Sequence, residues 1–158
     1  MVSPNEWGAG AWELLHGIGE KVGKQSNITS IRDERNELKL TLRHFWALLP
    51  CLKCQKHYKE WIKSHNPDTW ITSPFGVDLQ ESMREWVYTL HENVNNSREV
   101  VSSVFIEEMK DRYSGVNLRE KANGLKSFYQ KGLETRTLKA EDWKLAWKHL
   151  DLLLRIIS

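Results

Sequence analysis

Residues 50–64 read PCLKCQKHYKEWIKS, and the chain is organised around this stretch. Pro50 disfavours helical geometry at Leu49, while its own fixed φ suits a first helical position, so a helix from about Cys51 to Ser64 is expected. Cys51 and Cys54 are the only two cysteines. Three positions apart at a helix start, they can close a small redox disulfide, and the unpaired N–H groups there favour the thiolate that exchange requires. Two other readings stay open. With His57 the pair forms Cys-x-x-Cys-x-x-His, most of a tetrahedral zinc site. Alternatively, both cysteines are small apolar residues facing a core.

Downstream, about Leu79 to Ser97 reads as a helix carrying Met83, Trp86, Val87, Leu90, His91, Val94 and Asn95. His91 and Asn95 are four apart and share a face, with Trp86 close to the same side. Polar groups on such an apolar strip need partners, because burying them unsatisfied costs about 1–3 kcal/mol each. A polar ligand against this helix would supply them, as would backbone or water. Between the two helices, His65, Asn66, Pro67 and Asp68, then Ser73, Pro74 and Gly76, mark a long irregular connection.

Upstream, Ser3, Pro4 and Glu6 are a helix-start pattern: N-cap, first-turn proline and a capping box. The helix that follows runs to about Val22, with Trp7, Ala11, Trp12, Leu15, Ile18 and Val22 as its buried stripe. His16 lies one turn beyond Trp12 on the same side. Gly17-x-Gly19 imitates part of a dinucleotide fingerprint but follows no strand and lacks the third glycine, which excludes that reading. Residues 23–30 read as a polar loop. A second helix is expected from about Ile31 to Leu49, with Leu38, Leu42, Phe45, Trp46 and Leu49 inward and the charged run 32–37 solvated.

Residues 100–158 read as three further helical pieces. Ser103 is placed to cap a helix with Phe105 and Met109. A middle piece holds Leu118, Ala122, Leu125 and Phe128, and Gly132 breaks it. The last, about Ala140 to Ile157, carries Trp143, Trp147, Leu150, Leu154 and Ile157 as a stripe that docks on the bundle or on a second subunit. Strand alternation is nowhere sustained, so the fold class is all-α.

A length of 158 residues with 40% apolar content fits a single domain. The net charge of +2 leaves no electrostatic footprint for nucleic acid. No apolar run approaches the roughly 20 residues that cross a bilayer, and the N-terminus shows no apolar signal segment. A soluble chain in an intracellular setting is expected, with no membrane partner. Eight tryptophans are the compositional outlier; each ring suits helix packing or stacking on a planar ligand.

Taken together, three blocks resemble the Erv/ALR family of FAD-dependent sulfhydryl oxidases. Trp7, Gly8, Trp12, Leu15 and His16 are similar to its first-helix motif. Pro50, Cys51 and Cys54 are similar to its Tyr-Pro-Cys-x-x-Cys, followed by a familiar Asn66, Pro67, Asp68 and Thr69. Trp86, Leu90, His91, Val94 and Asn95 are similar to its Trp-x-x-x-Leu-His-Asn-x-Val-Asn. The blocks span residues 7 to 98, in the family's order.

The resemblance implies a four-helix bundle holding FAD, here residues 1–113 of the single domain 1–158, with additional C-terminal helices over 114–158 that have no counterpart. It implies that Cys51 exchanges with a substrate protein dithiol, that Cys54 faces the flavin, and that O2 accepts the electrons to give hydrogen peroxide. Gly8, Trp12, His16, Trp86, His91 and Asn95 would bind the cofactor, with His57 and Tyr58 nearer the isoalloxazine ring, and no metal is implied. A homodimer is expected, and a thioredoxin-like shuttle is a candidate partner.

Departures from the family pattern are specific. The second cysteine pair of cellular members has no equivalent here, so the chain looks like the compact branch found in large DNA viruses, placing it in host cytoplasm or virion. Glu92 stands where Asn is usual, Ala9 replaces a common arginine, and the lysine that meets the phosphates is missing, with Arg98 the nearby candidate. The competing functions are a helical zinc-binding interaction module using Cys51, Cys54 and His57, and a disulfide oxidoreductase without a cofactor.

Overall fold

A computed structural model of the protein describes residues 3–72, 78–102 and 104–158. The expectations for Ser73, Pro74, Gly76 and Ser103 lie outside these. Every regular element among the described residues is helical: α1 (Pro4–Lys21), α2 (Ile28–His44) running into a 3-10 turn (Phe45–Leu48), α3 (Leu52–Ser64), α4 (Asp68–Ile71), α5 (Leu79–Ser97), a 3-10 turn (Ile106–Glu108), α6 (Met109–Tyr113), α7 (Leu118–Gly124), α8 (Lys126–Glu134) and α9 (Ala140–Ile157). None of these helices is long and apolar enough to cross a membrane.

The first helix starts as its cap chemistry requires. Ser3 Oγ accepts the Asn5 N–H at 3.3 Å and Glu6 Oε2 accepts the Ser3 N–H at 3.0 Å, satisfying donors that a helix start otherwise leaves bare. α5 and α9 keep the bounds their periodicity predicts. Other boundaries are corrected. α2 begins at Ile28 because Asn27 caps it, its Oδ1 accepting the Ser30 N–H at 2.8 Å, and it tightens into the 3-10 turn before Leu49. Pro50 is not the first helical residue of α3. Cys51 is the N-cap and Leu52 the first helical position, which leaves Pro50 just outside. The middle C-terminal piece divides at Leu125 into α7 and α8, and Gly132 lies within α8 instead of ending it.

One hydrophobic core runs through Trp7, Leu14 and Ile18 of α1, Leu38 and Leu42 of α2, Tyr58 and Trp61 of α3, and Met83 and Trp86 of α5, and continues into Leu118, Tyr129, Leu150 and Leu154. α1 packs on α5, α6 and α7, while α9 lies along α2 and over the 3-10 turn that follows it. Of the two docking faces expected for the α9 stripe, the bundle is therefore the one occupied. Gly17 answers to packing: a Cβ there would come within 2.6 Å of Leu118 Cδ2, so its bare backbone is what lets α7 seat on α1. The α1–α5 contact is locked by a two-pronged ion pair. Arg84 Nε and NH2 donate to Glu20 Oε2 and Oε1 at 2.8 and 2.7 Å.

Candidate functional site

The chain carries two features of interest: a disulfide at the start of α3 and an aromatic cleft lined from α1, α5 and α6. Cys51 and Cys54 are disulfide-bonded, with Cα atoms 5.2 Å apart. Cys51 Sγ also accepts the Cys54 N–H at 3.2 Å, so the sulfur serves as the helix cap. Cys51 is only 5% exposed, whereas Cys54 is half-buried. Behind the pair, Gln55 donates to the Leu49 carbonyl at 2.7 Å and to the Thr137 carbonyl at 3.0 Å.

One turn along α3, the ring Nε2 of His57 is hydrogen-bonded to Asn93 Oδ1 of α5 at 2.6 Å. Tyr58 is buried and donates to the Leu42 carbonyl; burial alone pushes its phenol well above the ordinary tyrosine range. Its ring meets the edge of Trp86, which in turn meets Trp61 at 5.1 Å between centroids. Trp86 Nε1 donates to the His65 carbonyl at 2.8 Å. These contacts put Trp86 in a second aromatic cluster with Tyr58 and Trp61, apart from Trp12, His16 and His91.

Two residues before Asn93, His91 lies flat on Trp12 of α1, with centroids 3.9 Å apart and planes within 6°. His16 and His91 share a hydrogen bond between Nε2 and Nδ1 at 2.9 Å, and the other face of His16 stacks on Tyr113 of α6 at 4.4 Å. Burial, then His91 and Arg112, lowers the His16 pKa to about 3; burial also lowers that of His91, against Glu92. Both imidazoles are therefore neutral at physiological pH, each carrying one donor and one acceptor.

A cleft of about 550 Å³ opens beside this stack, lined by Ala9, Trp12, Glu13, His91, Arg112, Tyr113 and Val116; the Glu13 carboxylate is paired with Lys121 at 2.8 Å. A Cβ on Gly8, one turn before Trp12, would meet nothing within 4 Å. Asn95 is half-buried one turn beyond His91. Arg98 is exposed outside this lining, its NH2 3.4 Å from Asn5 Oδ1. The cation in the cleft is Arg112. Neither it nor Tyr113 is found by reading periodicity, because α6 is too short to show any; an adjacent Arg–Tyr pair was the available signal.

The zinc reading loses its ligands: both sulfurs are in the disulfide, and among the described residues no group of three or more His, Cys, Asp or Glu could hold a metal. The family model described as Erv1 / Alr matches residues 9–114. Among curated proteins, the chain is 28% identical over 90 residues to a mitochondrial FAD-linked sulfhydryl oxidase erv1 of Schizosaccharomyces pombe, covering 57% of this chain and 44% of that protein. It is 27% identical over 96 residues to FAD-linked sulfhydryl oxidase ERV1 of Oryza sativa subsp. japonica, covering 61% and 43%. With the Arabidopsis thaliana protein of the same name it shares 23% over 96 residues, covering 61% and 44%. The chain thus spans less than half the length of these relatives. No solved structure matches it.

Proposed function

The chain belongs to the Erv1/Alr family, and from that premise we propose that it is an FAD-linked thiol oxidase that forms disulfides in protein substrates. The observation that carries this reading is the Cys51–Cys54 disulfide closed at the N-terminus of α3, in a chain that also holds a cleft suited to a flat, anionic cofactor. The fit rests on the residues present. Trp12, His91 and Tyr113 offer aromatic faces, Arg112 offers a positive charge for phosphate, and His91, held from behind by the buried His16, offers a ring edge for hydrogen bonding. A volume of about 550 Å³ lies in the ordinary range for cofactor sites.

In this reading a substrate thiolate attacks Cys51 Sγ, the Cys51–Cys54 bond breaks, and Cys54 leaves as a thiolate. The helix start stabilises the other sulfur, since the Cys54 N–H is donated to Cys51 Sγ, and so favours Cys51 as a thiolate once the mixed disulfide is resolved. The second substrate thiolate then attacks the substrate sulfur of the mixed disulfide and expels Cys51. The substrate is oxidised to a disulfide, the Cys51–Cys54 pair is reduced by two electrons, and the thiol protons pass to the pair or to solvent. FAD held by the cleft residues would supply a two-electron acceptor for the reduced pair and a route to O2, with hydrogen peroxide as the product. The hydrogen bond between His57 and Asn93 ties the helix of the redox pair to the helix that carries His91.

Gly8, His16, His57, Tyr58, Trp86, Asn95 and Arg98, which do not line the cleft, stand with this proposal as cofactor-binding residues on the strength of the motifs. So do the homodimer, the thioredoxin-like shuttle, the viral branch, the location in host cytoplasm or virion, and the division of one domain at residues 113 and 114. Protein reconstituted with FAD and freed of excess should remain yellow, with a flavin absorption band. Adding dithiothreitol should then consume O2 in step with thiol loss. A colourless protein, or a yellow one that consumes no O2, overturns the assignment.

A further inference from the structure

Beyond the family match, residues 115–158 build one wall of a groove that runs alongside the redox pair. The wall is anchored on both sides of Cys51. Gln55 holds the Thr137 carbonyl at 3.0 Å, and Gly132 sits so close to Pro50 that an added Cβ would be 3.2 Å from the proline Cβ. The groove encloses about 400 Å³. Its α3 wall is a single helical face, since Leu52, Gln55, Lys56 and Lys59 fall at i, i+3, i+4 and i+7. Leu52, next in sequence to Cys51, is 62% exposed, an apolar side chain left open beside an almost buried sulfur.

The charge on this groove is unbalanced. Lys56, Lys59, Arg136 and Lys139 line it against Glu60 and Asp142, and Glu60 already meets Lys63 at 3.3 Å. Among the described residues, none of the four cations appears in an ion pair. Lys59 is held in place, its Nζ 3.7 Å above the Trp46 ring, a contact that keeps its charge on the groove without neutralising it. Arg136 carries a φ of 61°, in the left-handed position after a helix C-cap where glycine is usual. An arginine there pays a backbone cost to put a guanidinium on the rim.

We infer that this groove docks an acidic segment of the substrate polypeptide beside the thiols to be oxidised. The inference rests on the thiol oxidase reading and gives that site a substrate class. An attacking sulfur must approach along the disulfide axis, and Cys51 offers it little surface, so a substrate held next to the pair reacts far more often than one that only collides with it.

The test uses two peptides with the same Cys-x-x-Cys core, one flanked by glutamates and one by lysines, oxidised by the FAD-loaded full chain. The glutamate peptide should have about a tenfold higher kcat/KM at low salt, a preference that shrinks as added salt shortens the Debye length. Arg136→Glu with Lys139→Glu should abolish or reverse it. Arg136→Gly serves as the folding control. It relieves the left-handed backbone and so should raise Tm, yet it removes one cation and should cut the preference about threefold. Binding of the glutamate peptide with both cysteines replaced by serine, read by fluorescence anisotropy, should weaken in the same order. Equal kcat/KM for the two peptides, or a preference and binding that survive the double variant, overturns the groove assignment. If the wild type consumes O2 with dithiothreitol while showing no preference, only the groove is wrong; if it fails with dithiothreitol, the oxidase reading itself is wrong, and the anisotropy series alone then decides whether the groove takes acidic chains.

Discussion

His16 Nε2 lies 2.9 Å from His91 Nδ1, and the bond joins α1 to α5 beneath the Trp12–His91 stack. With one nitrogen donating and the other accepting, at least one ring must be neutral, and burial keeps His16 so.

The pair makes stability pH-dependent, with a definite sign. The folded pKa of His16 is lowered from 6.5 to about 3, chiefly by burial, then by His91 and Arg112. Protonation therefore favours the unfolded chain. The contribution is fully present above pH 6.5 and is lost as pH falls towards the folded value, at up to about 1.4 kcal/mol per pH unit for one group. His91 is lowered in the same direction, first by burial. Urea unfolding at pH 7.5 and pH 5 should show this loss, and His16→Gln, less stable at neutral pH, should show a shallower one. Equal slopes would mean that His16 titrates normally.

The Glu20–Arg84 pair is a second lock between the same helices. The Glu20 side chain is 1% exposed, so removing its partner strands a buried carboxylate. Arg84→Met should cost about 3–5 kcal/mol. The double change Glu20→Leu with Arg84→Met should recover most of that, because no charge is then buried. Denaturant midpoints of wild type, single and double variants test this; a double variant no better than the single would show that packing, not the unpaired charge, sets the cost.

The two cysteines should fail differently. Cys54→Ser leaves Cys51 as a lone thiol, with no disulfide for a substrate thiolate to attack, so turnover with dithiothreitol should vanish while FAD stays bound. Cys51→Ser keeps a good N-cap for α3, since serine oxygen accepts the same N–H that sulfur does, and should fold normally but also fail to turn over. O2 uptake and FAD content measure both. A Cys54→Ser protein oxidising dithiothreitol at the normal rate would remove Cys54 from the flavin side.

Local rules read well where an element is long and its cap is in the sequence. The Ser3–Glu6 box, the bounds of α5 and α9, and the sharing of one face by Trp12 and His16 all follow from capping and 3.6-residue periodicity. They read poorly where tertiary contact decides. The polar run before Ile31 resembles a loop until Asn27 is seen to cap it. Trp86 lies near the His91 face in projection, yet it turns to Tyr58 and Trp61 because α3 packs there. Arg112 and Tyr113 belong to a five-residue helix whose place over α1 has no periodic trace. Nothing in the sequence pattern joins residues 132–139 to the Cys51 loop, since that contact closes across some 80 residues of chain.

Gly132 is where that closure can be tested. As a helix breaker it would tolerate substitution at the end of α8, but it lies inside the helix, against Leu138 and Pro50. An added Cβ would stand 2.8 Å from Leu138 Cδ1, 2.9 Å from Leu138 Cγ and 3.2 Å from Pro50 Cβ. Cγ of Leu138 is a branch point, not a free end, and the proline ring is stiff, so the strain cannot be relieved by one rotamer change. Gly132→Val should destabilise the protein by about 1–3 kcal/mol, the usual cost of overpacking. Part of that strain should reach the redox loop through Pro50, shifting the equilibrium of the Cys51–Cys54 pair against a glutathione buffer. Gly124→Val is the control, because a Cβ there meets nothing within 4 Å; it should leave the redox equilibrium alone. If Gly132→Val alters neither Tm nor that equilibrium, the C-terminal helices do not brace the disulfide as their contacts imply.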